Sequence, residues 1–105
     1  MTNHTAPPIL LTIAGFDPSG GAGIAADLKT FAAHNCYGVA AVTALTVQST
    51  QGVKSTHLTP AATLRAQIDA LLEDCAIAAA KIGMLGNKAN AAVVAEATLV
   101  RGLFP

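Results

Sequence analysis

The chain has 105 residues, of which 52% are hydrophobic and only 11% charged, and its formal net charge is zero. The length allows one domain, and the low charged fraction, against roughly 25% in ordinary soluble domains, favours strands that are covered on both faces. Scattered Lys and Arg residues argue against a nucleic-acid partner, and the lack of an apolar run of about 18 residues argues against a membrane, so we expect a cytoplasmic protein.

Residues 1–8 form a predicted polar tail, and residues 9–105 alternate strand and helix patterns without a linker. Strands are predicted at about 9–15, 38–45 and 78–83, and helices at about 23–35, 60–74 and 88–101. Thr59 is the predicted N-cap of the second helix, Asn87 that of the third, and Gly102 its stop. The segment Val53 to Leu58 is either a small edge strand or a ribbon. Alternating elements of this kind predict βαβ units and a parallel sheet.

The most informative segment runs from Leu11 to Phe31, where an apolar strand passes through a glycine-rich turn into an amphipathic helix. Four of the nine glycines lie between positions 15 and 23, and we expect Gly21 to use a positive φ. The N-terminus of the helix presents free N–H groups to the same space. Ligands in open α/β sheets bind beyond the carboxyl ends of the strands, so this turn is predicted to line a ligand site.

Other chemically capable side chains point to no second site. Cys36 and Cys75 lie 39 residues apart and are interpreted as small buried apolar residues, not as metal ligands or nucleophiles. Lys81 is expected to pair with a carboxylate at a strand end and is assigned no chemistry. The three histidines are interpreted as surface residues: His4, His34 and His57. We therefore predict no metal site in this chain.

Three blocks carry a resemblance to a known family. The first is Ile13-Ala14-Gly15-Phe16-Asp17-Pro18-Ser19-Gly20-Gly21-Ala22-Gly23-Ile24, followed by Ala26 to Thr30; the second is Val42 to Val53, and the third Lys81 to Leu85. In this order they resemble the start of the hydroxymethylpyrimidine/phosphomethylpyrimidine kinases of thiamine biosynthesis, which are ribokinase-like. Phe16 departs from the pattern, since the family usually has Ser or Thr there. The resemblance implies the N-terminal part of a three-layer α/β fold with a mainly parallel sheet flanked by helices.

The resemblance also implies an activity, namely ATP-dependent phosphorylation of 4-amino-5-hydroxymethyl-2-methylpyrimidine and of its monophosphate. The small-molecule pyrimidine is the implied partner, with ATP and Mg²⁺ as cofactors bound mostly outside this chain and a homodimer as the form of the complete enzyme. We expect this chain to be a fragment that carries only the acceptor side and is inactive alone. No catalytic residue is assigned, because the family's catalytic groups belong to a C-terminal part.

By the same resemblance, five residues match substrate-binding positions. The Gln48 carboxamide suits an aminopyrimidine edge, because it offers both a donor and an acceptor. Asp27 accepts a hydrogen bond from the substrate or, on the structural alternative, favours the positive end of its helix. Met84 forms an apolar wall, Gly15 offers backbone contacts, and Thr46 lines the site, although ordinary core and strand roles remain open for these residues.

Two other functions stay open on the sequence. Gly21-Ala22-Gly23-Ile24-Ala25-Ala26 is a weak match to the fingerprint of a dinucleotide-binding Rossmann domain, but the second strand ends without the acidic residue that holds the ribose. The second alternative is a non-catalytic remnant that binds a pyrimidine or a partner.

Overall fold

The structure is a computed structural model, and it describes residues 6–100. His4 and the helix stop predicted at Gly102 lie outside these residues. Within residues 6–100, three α-helices and four strands follow the predicted alternation, and a π-helical turn, Glu96–Val100, continues the last helix. In chain order the elements are β1 (Ile9–Phe16), α1 (Gly23–Ala33), β2 (Tyr37–Ser49), β3 (Gly52–Leu58), α2 (Ala61–Asp74), β4 (Ile77–Ile82) and α3 (Lys88–Ala95).

The four strands form one sheet in the order β3-β2-β1-β4. The central strand β1 is parallel to both β2 and β4, as predicted, whereas β3 is antiparallel to β2. The segment that the sequence left undecided is therefore an edge strand. It also explains why β2 extends beyond the predicted end near residue 45, since the added residues pair with β3.

Successive side chains of β1 point to opposite faces of the sheet. Leu11 and Ile13 are fully buried in a core between the sheet and helices α2 and α3. The other face of the sheet lies against α1, where a Cβ on Gly38 would come within 2.5 Å of Leu28 and 3.0 Å of Phe31. Helices thus lie on both faces, which confirms the three-layer arrangement. Burial is concentrated in β1 and the middle of β2, whereas β3 is exposed throughout and β4 is exposed at four of its six residues, so the expectation that the strands are covered on both faces holds only for the centre of the sheet.

The helix ends differ in part from the predictions. The Asn87 side chain accepts a hydrogen bond from the Asn90 backbone N–H at 2.8 Å and caps α3 as expected. Thr59 does not cap α2. Pro60 takes the N-cap position, and the Thr59 backbone N–H donates to the Thr43 carbonyl at 2.8 Å instead. Helix α1 ends at Ala33, before the predicted end, because Asn35 turns the chain with a φ of 59°.

Cys36 and Cys75 are half-buried, so the prediction that both are buried apolar residues is wrong. Each follows the end of a helix, and this places it at the rim of the fold rather than under the sheet. Burial and the neighbouring Asp74 carboxylate raise the pKa of the Cys75 thiol, which keeps it protonated.

His34 and His57 are exposed, as expected. Between residues 6 and 100, no helix is long and apolar enough to cross a membrane.

Candidate functional site

A cavity of about 220 Å³ opens at the carboxyl ends of β1, β2 and β4, and β3 forms part of its wall. Four of the five predicted site residues line it: Gly15, Thr46, Gln48 and Met84. The remaining lining residues come from the strand ends, from β3 and from the glycine turn: Ala14, Asp17, Ala22, Gly23, Val53, Thr56, Lys81 and Gly83. The glycine turn, which the sequence predicts to line a ligand site, thus lines this cavity.

Gly15 and Met84 meet on one side of the cavity. A Cβ on Gly15 would lie 2.6 Å from the Met84 Cε atom, far inside van der Waals contact, so the side chain can occupy this position only because residue 15 is glycine. The Met84 backbone is fixed from behind, since the buried Thr43 hydroxyl donates to its carbonyl oxygen at 2.6 Å. Met84 as a whole is 43% exposed, and it forms an apolar part of the cavity wall.

Thr46 and Gln48 form the polar side of the cavity. The Thr46 hydroxyl lies 2.9 Å from the Gln48 Oε1 atom and 2.8 Å from the Phe16 carbonyl oxygen. A hydroxyl has one proton, and the two ends of an amide exchange by a half turn. In either orientation Thr46 fixes one end of the carboxamide and leaves the other for a ligand. Phe16 enters this contact through its backbone, so its departure from the family pattern leaves the hydrogen bond intact.

The glycine turn is built around Asp17, which is 5% exposed. Its Oδ1 atom accepts hydrogen bonds from the Ser19 backbone N–H at 2.8 Å and from the Ser19 hydroxyl at 2.7 Å. The Ser19 hydroxyl contributes most to lowering the pKa of Asp17, and the N–H groups of Ser19, Ala22 and Gly21 act in the same direction against the effect of burial. The N–H groups at this turn therefore already face an anion that belongs to the chain.

The positive φ angles of the turn belong to Gly20, at 77°, and Gly23, at 63°. Gly21 does not adopt one, so that expectation is wrong. The physical reason is that Gly23 passes close to the carbonyl group of Gly15, where the first residue of α1 bridges back to the end of β1.

Asp27 does not line the cavity. Its Oδ2 atom accepts from the Thr12 hydroxyl at 2.6 Å and from the Lys81 ammonium at 2.9 Å. The predicted carboxylate partner of Lys81 is thus Asp27, and Lys81 itself reaches the cavity. Asp27 also lies in the second turn of α1 rather than at its first residues, which weakens the structural alternative that it serves the helix terminus.

Sequence reasoning missed three kinds of lining residue: Asp17, Lys81, and Val53 with Thr56 on β3. Lys81 reaches the cavity through the register of β4, in which it lies beside Thr12 of β1, and the sequence pattern carries no signal for that register. The β3 residues carry no local signal, since they reach the cavity only when β3 pairs back onto β2. Among residues 6–100, no three His, Cys, Asp or Glu side chains lie close enough together to hold a metal ion.

Comparisons with known protein families, sequences and structures all point to the same family. The family model for phosphomethylpyrimidine kinase matches residues 17–103. A hydroxymethylpyrimidine/phosphomethylpyrimidine kinase of Haemophilus influenzae is 54% identical over 78 residues, which cover 74% of this chain and 29% of that protein. The chain therefore spans less than a third of the length of this relative.

Solved structures agree with the sequence match. The phosphomethylpyrimidine kinase of Clostridium difficile superimposes with a TM-score of 0.85 at 41% identity, over 93% of this chain and 42% of that chain. A Bacillus subtilis pyridoxal kinase, solved as an ADP complex, has a TM-score of 0.84 at 34% identity, over 92% of this chain and 38% of that one. The fold is therefore ribokinase-like, and the chain belongs to the phosphomethylpyrimidine kinase family.

Proposed function

We propose that this chain forms the acceptor-binding part of a kinase that phosphorylates 4-amino-5-hydroxymethyl-2-methylpyrimidine and its monophosphate in thiamine biosynthesis. The observation that carries the proposal is the pairing of a Thr46-anchored Gln48 carboxamide with the Met84 thioether in one cavity. Family membership supports phosphoryl transfer as the reaction, and the groups that line the cavity support an aminopyrimidine as the acceptor.

The size and lining of the cavity suit a single substituted ring. Its volume of about 220 Å³ is below the ~300–1,000 Å³ common for drug-sized ligands, and a dinucleotide is larger still. An aminopyrimidine stacks its face on Met84 and directs its amino group and adjacent ring nitrogen to the free end of Gln48. The ionised Asp17 in the glycine turn disfavours a pyrophosphate at that place, which argues against the dinucleotide alternative.

Phosphoryl transfer also requires ATP and Mg²⁺, and the described residues do not fit a metal site. Asp17 is held by Ser19, and Asp27 by Thr12 and Lys81. We assign nucleotide and metal binding to the parts of the complete kinase that this chain does not match. The contribution of the chain is to bind the pyrimidine, to orient its hydroxymethyl group and to exclude water from one side of it.

Titration of the purified chain with hydroxymethylpyrimidine tests the proposal. We expect binding that Gln48→Ala weakens by about 1–3 kcal/mol, because the polar edge of the ligand loses its partner. Gln51→Ala is the matched control, since Gln51 is an exposed glutamine in the β2–β3 turn and does not line the cavity. Pyridoxal, which lacks the amino group, serves as the comparison ligand. Equal affinities for the Gln48 variant and the wild type would remove Gln48 from the site.

A further inference from the structure

The Lys81 ammonium group lies at the cavity wall, although a neutral pyrimidine does not require it. Lys81 is the one cationic side chain that lines the cavity within residues 6–100, and most of the other lining groups are neutral or apolar. A pyrimidine ring with an amino and a hydroxymethyl substituent needs no ammonium group for recognition. The phosphomethyl form differs from it by a phosphate, which carries a charge of about −1.5 to −2 at neutral pH.

The strand register explains how Lys81 reaches this position. Lys81 of β4 lies directly beside Thr12 of β1, and neighbouring residues in register point to the same face of a sheet. That face lies against α1, so both side chains meet Asp27 there, at 2.9 Å and 2.6 Å. Thr12 is fully buried, and it fixes the carboxylate that in turn fixes the ammonium group.

The exposure of the three side chains shows which of them is available to a ligand. The side chain of Asp27 is only 16% exposed, whereas that of Lys81 is 47% exposed. The ammonium group makes a hydrogen bond to Asp27 with one of its three N–H groups, which leaves donors for a second acceptor. A lysine that served only to neutralise Asp27 would gain nothing from remaining open to the cavity.

Resting on the proposed function, we propose that Lys81 is the specificity-determining residue for the phosphorylated pyrimidine, whose phosphate its ammonium group binds at the cavity wall. Asp27 holds the ammonium group in place and offsets part of its charge, so that the neutral hydroxymethyl form is not disfavoured. The same cavity then accepts both acceptors of the two-step reaction, with Gln48 and Met84 reading the shared ring and Lys81 the substituent that differs.

The test compares two ligands, hydroxymethylpyrimidine and its monophosphate, on the full chain by calorimetric titration. We expect Lys81→Met to weaken binding of the monophosphate by about tenfold, as for a partly solvated charge-assisted hydrogen bond, and to leave the neutral pyrimidine within about twofold. Lys81→Arg retains the charge and is expected to retain the preference. Lys54→Met is the matched control, because Lys54 is an exposed lysine of β3 that does not line the cavity. The wild-type preference for the monophosphate also weakens at high salt.

If Lys81→Met does not fold because Asp27 loses its partner, the double variant Lys81→Met/Asp27→Asn removes both charges and keeps an acceptor for Thr12. It is expected to lose the preference for the monophosphate in the same way. Equal weakening of both ligands, or of neither, overturns the inference and leaves Lys81 as a structural partner of Asp27. A wild-type chain that binds the neutral pyrimidine supports the proposed function whichever result is obtained, and one that binds neither ligand overturns both.

Discussion

Gly23 is the position at which the glycine turn tolerates a side chain least. Its φ of 63° lies in the left-handed region, and a Cβ there would lie 3.2 Å from the Gly15 carbonyl carbon and closer still to the oxygen. We expect Gly23→Ala to destabilise the fold by about 2–5 kcal/mol, of which about 1–2 kcal/mol comes from the backbone conformation and the rest from the collision. The collision is costly because the position of a Cβ is fixed by the backbone and the Gly15 carbonyl group is itself backbone, so neither can rotate away.

Gly21→Ala provides a control two residues away. Gly21 has no positive φ, and its Cβ would make ordinary contacts with the Asp17 carboxylate at 3.6 Å and the Ser19 hydroxyl at 3.8 Å. We expect a change within about 0.5 kcal/mol, as for most surface substitutions. The two variants therefore separate the geometry of the turn from the mere presence of glycine in the sequence.

Urea denaturation followed by circular dichroism gives the difference in unfolding free energy, and titration with hydroxymethylpyrimidine at low urea gives the effect on the cavity. Gly23→Ala should lower the denaturation midpoint and weaken ligand binding, because Gly23 also lines the cavity. If both variants have the stability of the wild type, the backbone at Gly23 does not have the conformation described here, and the link between the turn and the cavity fails.

Three further predictions concern the cavity and the turn. Thr46→Val should weaken pyrimidine binding by about 1 kcal/mol through loss of the hydrogen bond that fixes Gln48, and Thr46→Ser should restore it; unchanged calorimetric affinity for the valine variant would contradict this. Gly15→Ala should displace the Met84 methyl by about 1 Å and weaken ligand binding with little loss of stability, because a methionine terminus moves easily; a crystal structure with Met84 in place would refute it. Ser19→Ala should raise the pKa of Asp17 towards its ordinary value of 3.8. Since the folded pKa is lowered, the stabilisation is present above pH 3.8 and lost as the pH falls through the folded value, so wild type and variant should differ in stability at pH 7 and converge as the pH falls through that value.

Much of the fold follows from local patterns. The positions of the three parallel strands and three helices come from hydrophobic spacing, and the Asn87 cap comes from its place before an apolar helix. The end of α1 was missed because a left-handed Asn35 is set by how the chain turns into β2, and the cap of α2 was missed because Thr59 bonds across to Thr43. Both depend on contacts between elements that are distant in sequence.

The candidate site shows the same division. Gly15, Thr46, Gln48 and Met84 were predicted from the resemblance to the family, and all four line the cavity at the carboxyl ends of the parallel strands. The network around Asp27 was not predicted in full, because its partners are 15 and 54 residues away and meet only through the register of β1 and β4. Contacts between side chains on neighbouring strands can be predicted only when the strand order and register are known, and the sequence pattern gives neither.

The most direct test of the proposed function is activity in the context of a complete kinase. The 78 residues of this chain that align with the H. influenzae kinase can replace their counterpart in that protein. The purified chimera can be assayed for ATP-dependent phosphorylation of hydroxymethylpyrimidine by product mass. We predict turnover by the chimera, a KM for the pyrimidine that Gln48→Ala raises by about tenfold or more, and an unchanged KM for Gln51→Ala. A chimera that folds and binds ATP but phosphorylates no pyrimidine would contradict the acceptor-binding role and favour a non-catalytic pyrimidine-binding or partner-binding module.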